Sequence, residues 1–265
     1  MIRCKSRIFR HAAVLFTLSL VTLVFGKDPR ALVEEMVHAV GGRERLYALK
    51  DVEFTYTYVT ADGKKDVSLE RYVFDGELSW GKYTTHEAFV LPGVAGDVTQ
   101  AYNGSETWAS QEGKLLTDPQ ALKLADFMRK TNFYWFTMMF KLTDPGMNYE
   151  HLGTRQVGSI EYDVVKVTFD AGVGDAQDTY ILYIHPETHL VDQFLFTVMD
   201  FGMQQPFLMR VEYEEVEGLK LPARRTYTEA DWDGAPKSDK WNKEISTGIK
   251  FNNGFELSVF ERPYN

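Results

Sequence analysis

Residues 52–63, VEFTYTYVTADG, carry the pattern that decides the fold class. Apolar side chains occupy every second position of the stretch: Val52, Phe54, Tyr56 and Tyr58. An apolar period of two is typical of a strand that buries one face. The turn residues Ala61-Asp62-Gly63 follow at once, so the stretch predicts the first strand of an antiparallel pair.

Similar short runs continue toward the C-terminus and are separated by turn pairs such as Asp75-Gly76, Asn103-Gly104 and Asn253-Gly254. They cover residues 67–74, 78–84, 98–102, 106–110, 160–169, 179–184, 190–199, 208–216, 221–228, 245–251 and 255–260. Most neighbouring runs have no helix between them, which disfavours parallel crossovers. The sequence therefore predicts an α+β protein with a single domain over 27–265, built on a meandering antiparallel sheet or barrel of about a dozen strands.

Two of the three predicted helices begin with Asp-Pro, a pair in which Asp caps the free amides and Pro fits the first turn. Asp28-Pro29 begins a helix with an apolar face, and Gly41-Gly42 ends it. A short second helix is predicted over 43–49. Asp118-Pro119 begins the third helix, which is predicted to end before Asp144-Pro145-Gly146.

The end of the third helix, residues 132–142 (NFYWFTMMFKL), is apolar almost all round. Its apolar side chains are Phe133, Tyr134, Trp135, Phe136, Met138, Met139, Phe140 and Leu142. A helix of this kind must be buried on most sides, so it predicts a plug in the core. The flexible thioethers of Met138 and Met139 would also suit an irregular apolar ligand, which makes the same helix a candidate lid or cavity lining.

Residues 1–26 predict a secretory signal peptide. Four basic residues precede an apolar run from Ala12 to Phe25. The run is shorter than the roughly 18 residues of a membrane span, so we expect cleavage after Gly26 and no stable membrane insertion afterwards. The protein is therefore expected to be exported, either periplasmic or secreted, and its mature chain lacks cysteine because Cys4 is removed.

The expected mature chain is strongly acidic. The whole sequence has 29 Lys and Arg against 38 Asp and Glu, a net charge of −9 at pH 7. Removal of the four basic residues in the signal peptide leaves 25 against 38, or −13. Nucleic acid and anionic headgroups repel such a chain, so no nucleic-acid partner is expected.

Six phrases carry a resemblance to a known family. They are GGRERLYALKDVEFTY (41–56), AYNGSETW (101–108), FKLTDPG (140–146), YEHLG (149–153), VGDAQDTYILYIHPETHLVDQF (173–194) and LPARRTY (221–227). Together they resemble the bacterial outer-membrane lipoprotein-sorting proteins of the LolA and LolB type, and more closely the uncharacterised exported proteins with that architecture. The resemblance implies a strongly curved antiparallel sheet, an incomplete β-barrel whose concave face is covered by helices over an apolar cavity.

In the sorting proteins that cavity holds acyl chains, so the resemblance implies an acyl chain or other apolar small molecule as partner, with lipoproteins or envelope proteins as further candidates. The candidate cavity or lid residues are Trp80, Tyr83, Trp108, Phe133, Trp135, Phe136, Met138, Met139 and Phe140. Burial of ligand hydrocarbon, about 0.8 kcal/mol per methylene, would offset the opening of the 133–142 plug.

Patterns for metal binding are weak. His185 and His189 are four residues apart, but Pro186 places them in a hairpin turn rather than on a helix, so no metal site is expected there. The acidic, glycine-containing loop with Asp170, Asp175 and Asp178 lacks EF-hand spacing, and calcium binding stays an open alternative.

The sequence contains no nucleophile elbow, phosphate-binding glycine loop or zinc helix, and no cofactor is expected. We therefore predict a non-enzymatic carrier or binding protein for an apolar ligand. Two alternatives stay open. One is a structural module whose cavity is filled by its own side chains, and the other is a hydrolase that uses scattered carboxylates such as Asp231 and Asp233.

Overall fold

The computed structural model describes residues 26–174 and 177–263. Most of the predicted signal peptide, including Cys4, lies outside the described residues, and so does Asp175 of the acidic loop. Among the described residues no helix is long and apolar enough to span a membrane.

The three predicted helices are present: α1 (Pro29–Ala39), α2 (Arg43–Ala48) and α3 (Pro119–Lys141). Both Asp-Pro pairs act as the sequence indicates. The carboxylate of Asp28 accepts a hydrogen bond from the Arg30 amide at 3.0 Å, and that of Asp118 accepts one from the Ala121 amide at 3.2 Å. These caps fix where α1 and α3 begin.

The described residues form thirteen strands in one antiparallel sheet. They are β1 (Asp51–Val59), β2 (Lys65–Val73), β3 (Leu78–His86), β4 (Val98–Tyr102), β5 (Thr107–Gln111), β6 (Lys114–Leu115), β7 (Met147–Val157), β8 (Ile160–Phe169), β9 (Tyr180–Ile184), β10 (Val191–Val198), β11 (Met203–Val216), β12 (Leu219–Glu229) and β13 (Asn242–Phe251). Their order is β6-β5-β4-β3-β2-β1-β13-β12-β11-β10-β9-β8-β7, and β6 does not pair with β7. The sheet is therefore an incomplete barrel, and the predicted α+β class is confirmed.

Two details of the strand prediction are wrong. Residues 255–260 form no strand; a short 3-10 turn, Leu257–Val259, lies there instead. The preceding β13 is already paired on both sides, with β1 and β12, so this segment has no free strand edge beside it. The long edge strand β7 was not predicted, because its exposed face is polar and its partly buried face interrupts the apolar alternation.

The two faces of the sheet have separate apolar clusters. The larger cluster lies on the concave face, where α1, α2 and α3 pack against strands from β1 to β13. On the convex face, a smaller cluster that includes Tyr162, Ile181 and Leu195 is covered by residues such as Ala230 and Trp241. The prediction that helices cover the concave face is thus confirmed.

Candidate functional site

The C-terminal half of α3 fills the middle of the concave face. Phe136 stacks on Phe54 of β1 with ring centroids 4.7 Å apart, and Phe133 contacts Tyr72 of β2 at 5.4 Å. Further along α3, three side chains are at most 1% exposed: Met138, Met139 and Phe140. In this structure these residues are packed core.

A buried ion pair with a tyrosine, here named the anchor (Glu70, Tyr83 and Arg129), fixes α3 to the sheet. Arg129 Nη1 donates to Glu70 Oε2 at 2.7 Å and Nη2 donates to Glu70 Oε1 at 3.2 Å. Arg129 also donates to the hydroxyl of Tyr83. Both charged side chains are 0% exposed, and such charges are tolerated only when paired. Burial raises the pKa of the Tyr83 hydroxyl well above its ordinary value, which keeps it neutral.

Gly81 of β3 leaves the space that the anchor occupies. A Cβ atom at this position would lie 2.7 Å from both the Arg129 Cζ and the Glu70 Oε1. Real Cβ atoms do not approach other atoms so closely, and the guanidinium is locked by its ion pair. The glycine therefore belongs to the anchor, although it has no side chain to contribute.

A second buried ion pair holds α3 nearly two turns further along the helix. Arg225 of β12 and Glu244 of β13 are 2.7 Å apart and both are nearly fully buried. Arg225 Nη1 also donates to the backbone carbonyl of Trp135 at 2.8 Å. The helix is thus tied to both halves of the sheet.

At one end of the concave face, six aromatic side chains form a continuous row, here named the mouth cluster: Phe89, Tyr58, Tyr227, Phe207, Phe196 and Trp135. Successive ring centroids in this row are 5.0–6.3 Å apart. The hydroxyls of Tyr58 and Tyr227 are 2.6 Å apart and share a hydrogen bond. Burial raises the pKa of Tyr58 to about 12, so this hydroxyl is neutral at physiological pH.

The mouth cluster runs from the core to solvent. Phe196 and Tyr58 are 4% and 6% exposed, Trp135, Phe207 and Tyr227 are partly buried, and Phe89 at the end of the row is 43% exposed. Beyond the paired Phe196 and Phe207, two further apolar residues are exposed: Phe201 in the turn between β10 and β11, and Met203 at the start of β11. The end of the half-barrel is therefore rimmed by apolar side chains.

The exposed position of Phe89 is fixed by buried polar contacts. The carboxylate of Asp66 accepts hydrogen bonds from the amides of Ala88, Phe89 and Val90 at 2.8, 2.9 and 3.2 Å. Asp66 itself is 2% exposed. A loop held by three charge-assisted hydrogen bonds does not present its aromatic residue to water through local disorder. Phe89 is part of a defined surface.

The structure separates the residues that the sequence grouped as cavity candidates. Trp135 joins the mouth cluster, and Tyr83 lies in the anchor. Trp80 and Trp108 lie on the convex face: Arg71 stacks over Trp80 at 5.0 Å, and the Trp108 indole donates to the carbonyl of Phe260 at 2.8 Å. Those two residues cannot line a cavity on the concave face. The others are the core residues already described: Phe133, Phe136, Met138, Met139 and Phe140.

Most of the mouth cluster was missed from the sequence. Tyr58 carried a signal, because the alternation over 52–58 places it on the apolar face of β1. The partners Phe207 and Tyr227 come from strands far along the chain, and only the register of β11 with β12 and the closure through β13 bring them to Tyr58.

Several side chains from the weak metal and carboxylate patterns lie among the described residues, and they have structural roles there. The ring of His185 accepts the Glu187 amide at 3.1 Å, which makes it part of the hairpin turn. Asp178 accepts the Met199 amide at 2.8 Å, and Asp231 accepts the Ala235 amide at 2.9 Å. Over 26–174 and 177–263, no three His, Cys, Asp or Glu side chains are grouped as a metal site would need.

Comparison with protein families finds one match. The model described as "Family of unknown function (DUF6503)" matches residues 31–217, well over half of the chain. The chain belongs to this family. No curated protein matches it.

Comparison with solved structures gives the fold. A DUF1329 family protein from Desulfovibrio piger is 11% identical with a TM-score of 0.53, covering 88% of this chain and 98% of that one. A domain described as a candidate outer-membrane lipoprotein-sorting protein from Vibrio parahaemolyticus is 9% identical with a TM-score of 0.51, covering 88% and 95%. A LolA superfamily protein from Nitrosomonas europaea is 12% identical with a TM-score of 0.50, covering 86% and 97%. These likenesses confirm the LolA-like fold, and at such identities they show the fold alone.

Proposed function

We propose that this member of DUF6503 is a non-enzymatic, exported carrier or binding protein that holds an acyl chain, lipid or other apolar ligand at the mouth cluster. The observation that carries the proposal is the row of six aromatic rings that runs without a break from the core to the surface. Packing of the core alone would not require the loop to hold Phe89 in a fixed, exposed position. Concave apolar surfaces with a few polar groups are typical of small-molecule sites.

The polar groups beside the row set its chemistry. Tyr58 and Tyr227 use one hydroxyl proton between them, so the second proton is available to an acceptor such as an ester carbonyl. The remaining members are Phe or Trp. The cluster therefore suits a chain of methylenes with an uncharged polar end.

The energetics favour binding beside α3 rather than in its place. A chain of ten methylenes contributes about 8 kcal/mol on burial. Exposure of the five buried aromatic and thioether side chains of α3 would cost about 7–15 kcal/mol, before the anchor is broken. Ligand binding therefore does not require the whole 133–142 plug to open. Instead, Phe89 and Phe201 move aside and the ligand lies along Trp135.

The fold relatives are compatible with this proposal. One is named for lipoprotein sorting and another for the LolA superfamily. The half-barrel, the predicted signal peptide and the acidic surface support a carrier that stays soluble while it moves through the periplasm or is secreted. Lipoproteins or envelope proteins are the proposed sources of an acyl chain.

The test is to purify the mature chain, 27–265, from its native compartment, extract it with organic solvent and identify bound species by mass spectrometry. The proposal predicts one apolar species at about one molecule per chain. A blank extract, together with no binding of a neutral fluorescent probe, would leave the protein a structural module with a self-packed core. Cleaved lipid, lost when one carboxylate is neutralised, would favour the hydrolase alternative.

A further inference from the structure

His86, the last residue of β3, begins the loop that carries Phe89 to the mouth cluster. The side chain is 9% exposed. Its Nδ1 lies 3.2 Å from the carbonyl oxygen of Leu91, and its Nε2 lies 2.7 Å from that of Gly96. The imidazole thus bridges two distant points of the loop 87–97.

Both partners of this imidazole are acceptors. A carbonyl oxygen cannot donate a hydrogen bond, and a neutral imidazole has only one N–H. One of the two contacts would then bring a nitrogen lone pair against a carbonyl lone pair. Both contacts are hydrogen bonds only when His86 is the doubly protonated imidazolium.

Several charged groups lie around the loop. Asp66 of β2 is the register partner of His86 and is buried, and its carboxylate accepts the three loop amides described above. Asp97, at the end of the loop, forms an ion pair with Lys82 at 2.8 Å. The charged groups on the elements around the loop, on β2, β3, the loop itself and the turn after β5, are Lys65, Asp66, Lys82, Glu87, Asp97 and Glu112. Four of these six are carboxylates.

The loop depends on such a bridge. Leu91 has a φ of 42°, a left-handed conformation that is costly for a leucine and persists only when its surroundings impose it. The carbonyl oxygen of this same residue is the one that lies 3.2 Å from Nδ1 of His86. Phe89, two residues earlier, contacts Tyr58 of the mouth cluster with ring centroids 5.0 Å apart.

We propose that protonated His86 is a pH-dependent latch that holds the loop 87–97, and with it Phe89, over the mouth cluster. Loss of one proton removes one of the two bridging bonds, so the loop loosens as pH rises and apolar ligands enter faster. The Asp66 carboxylate keeps its three amides throughout, so the loop stays attached at its base. The effect on ligand entry rests on the proposed function, whereas the loosening of the loop with pH does not.

The loop is tested without any ligand, by NMR on the whole mature chain from about pH 5 to about pH 9, the range in which histidine changes charge. The Cε1 proton of His86 should titrate, and the amide protons of Leu91 and of residues 93–96 should shift and lose exchange protection with the same midpoint. His86→Gln, which cannot change charge in this range, should abolish the midpoint in the loop. The matched control is His151→Gln, a substitution at a histidine of β7, and it should leave the midpoint of the loop signals unchanged.

Ligand entry is measured by stopped-flow fluorescence with the neutral probe N-phenyl-1-naphthylamine. We expect the association rate to rise roughly tenfold with pH, as loss of one charge-assisted hydrogen bond implies, and to become independent of pH in His86→Gln. The latch would be overturned if the amide signals of the loop did not change with the His86 titration. It would also be overturned if the association rate had the same pH profile in His86→Gln as in the natural chain. A loop that responds while no probe binds at any pH would uphold the latch and contradict the proposed function.

Discussion

The anchor and the mouth cluster lie on the same concave face and both involve α3, yet they are built oppositely. At the anchor, Arg129 and Glu70 are fully buried, and β3 has a glycine at 81 so that they fit. At the mouth cluster, Trp135 and its neighbours are linked by ring contacts, and the row ends at an exposed Phe89. One part of the face fixes the helix permanently, and the other leaves apolar surface accessible.

The difference shows how a core and a site can share one apolar face. A charge pair with no access to water makes the position of α3 over β2 and β3 costly to change. At the mouth cluster, Arg225 holds the backbone of Trp135, but the remaining rings are joined by ring contacts and one hydroxyl pair, which are cheaper to rearrange.

The largest effect is expected at the anchor. Arg129→Met removes the partner of a buried carboxylate, so the free energy of unfolding should fall by about 3–5 kcal/mol in urea denaturation. The double variant Glu70→Leu with Arg129→Met leaves no uncompensated charge and should recover most of the loss. If the single variant lost less than about 1 kcal/mol, the anchor would not fix the helix.

Gly81→Ala should destabilise the protein by about 1–3 kcal/mol, because the added methyl group overlaps the guanidinium of Arg129. The same substitution in the Glu70→Leu, Arg129→Met background should cost much less, since neither the guanidinium nor the carboxylate that the methyl group would meet is then present. A double-mutant cycle on thermal or urea unfolding measures this coupling. Additive effects would show that the glycine is not required by the anchor.

At the mouth cluster, Phe89→Ser should change stability by at most about 0.5 kcal/mol, because Phe89 is already 43% exposed. It should weaken binding of a neutral apolar probe by about threefold to tenfold, the worth of one aromatic contact. Trp232→Ser is the matched control, an exposed aromatic residue on the loop after β12. Equal effects of the two substitutions would remove Phe89 from the site.

The smallest effect is expected at alkaline pH. The pKa of Tyr58 is raised from 10.0 to about 12, chiefly by burial, so the folded state favours the protonated phenol. That contribution is complete below about pH 10 and is lost as pH rises toward 12. Tyr58→Phe should therefore lose less stability than the natural chain between about pH 9 and about pH 11. Coincident pH profiles in urea unfolding would contradict the assignment.

The sequence predicted the layers better than the site. The alternation in 52–58 and the Asp-Pro pairs before α1 and α3 are local signals, and local capping and burial made them reliable. The face on which Trp80 and Trp108 lie depends on strand register, which short-range patterns do not contain. The Arg129–Glu70 pair joins a helix to a strand 59 residues away, and neither residue stands out in the sequence.

The five tryptophans allow a direct test of whether apolar ligands lie along the mouth cluster. In a ¹H–¹⁵N spectrum each indole N–H gives one signal, and only Trp135 belongs to the cluster. On titration with a long-chain fatty alcohol, the Trp135 signal should shift and saturate at about one ligand per chain. The signals of Trp80, Trp108, Trp232 and Trp241 should stay in place. A Trp135 signal that does not move, or saturable shifts confined to the other four, would contradict the account.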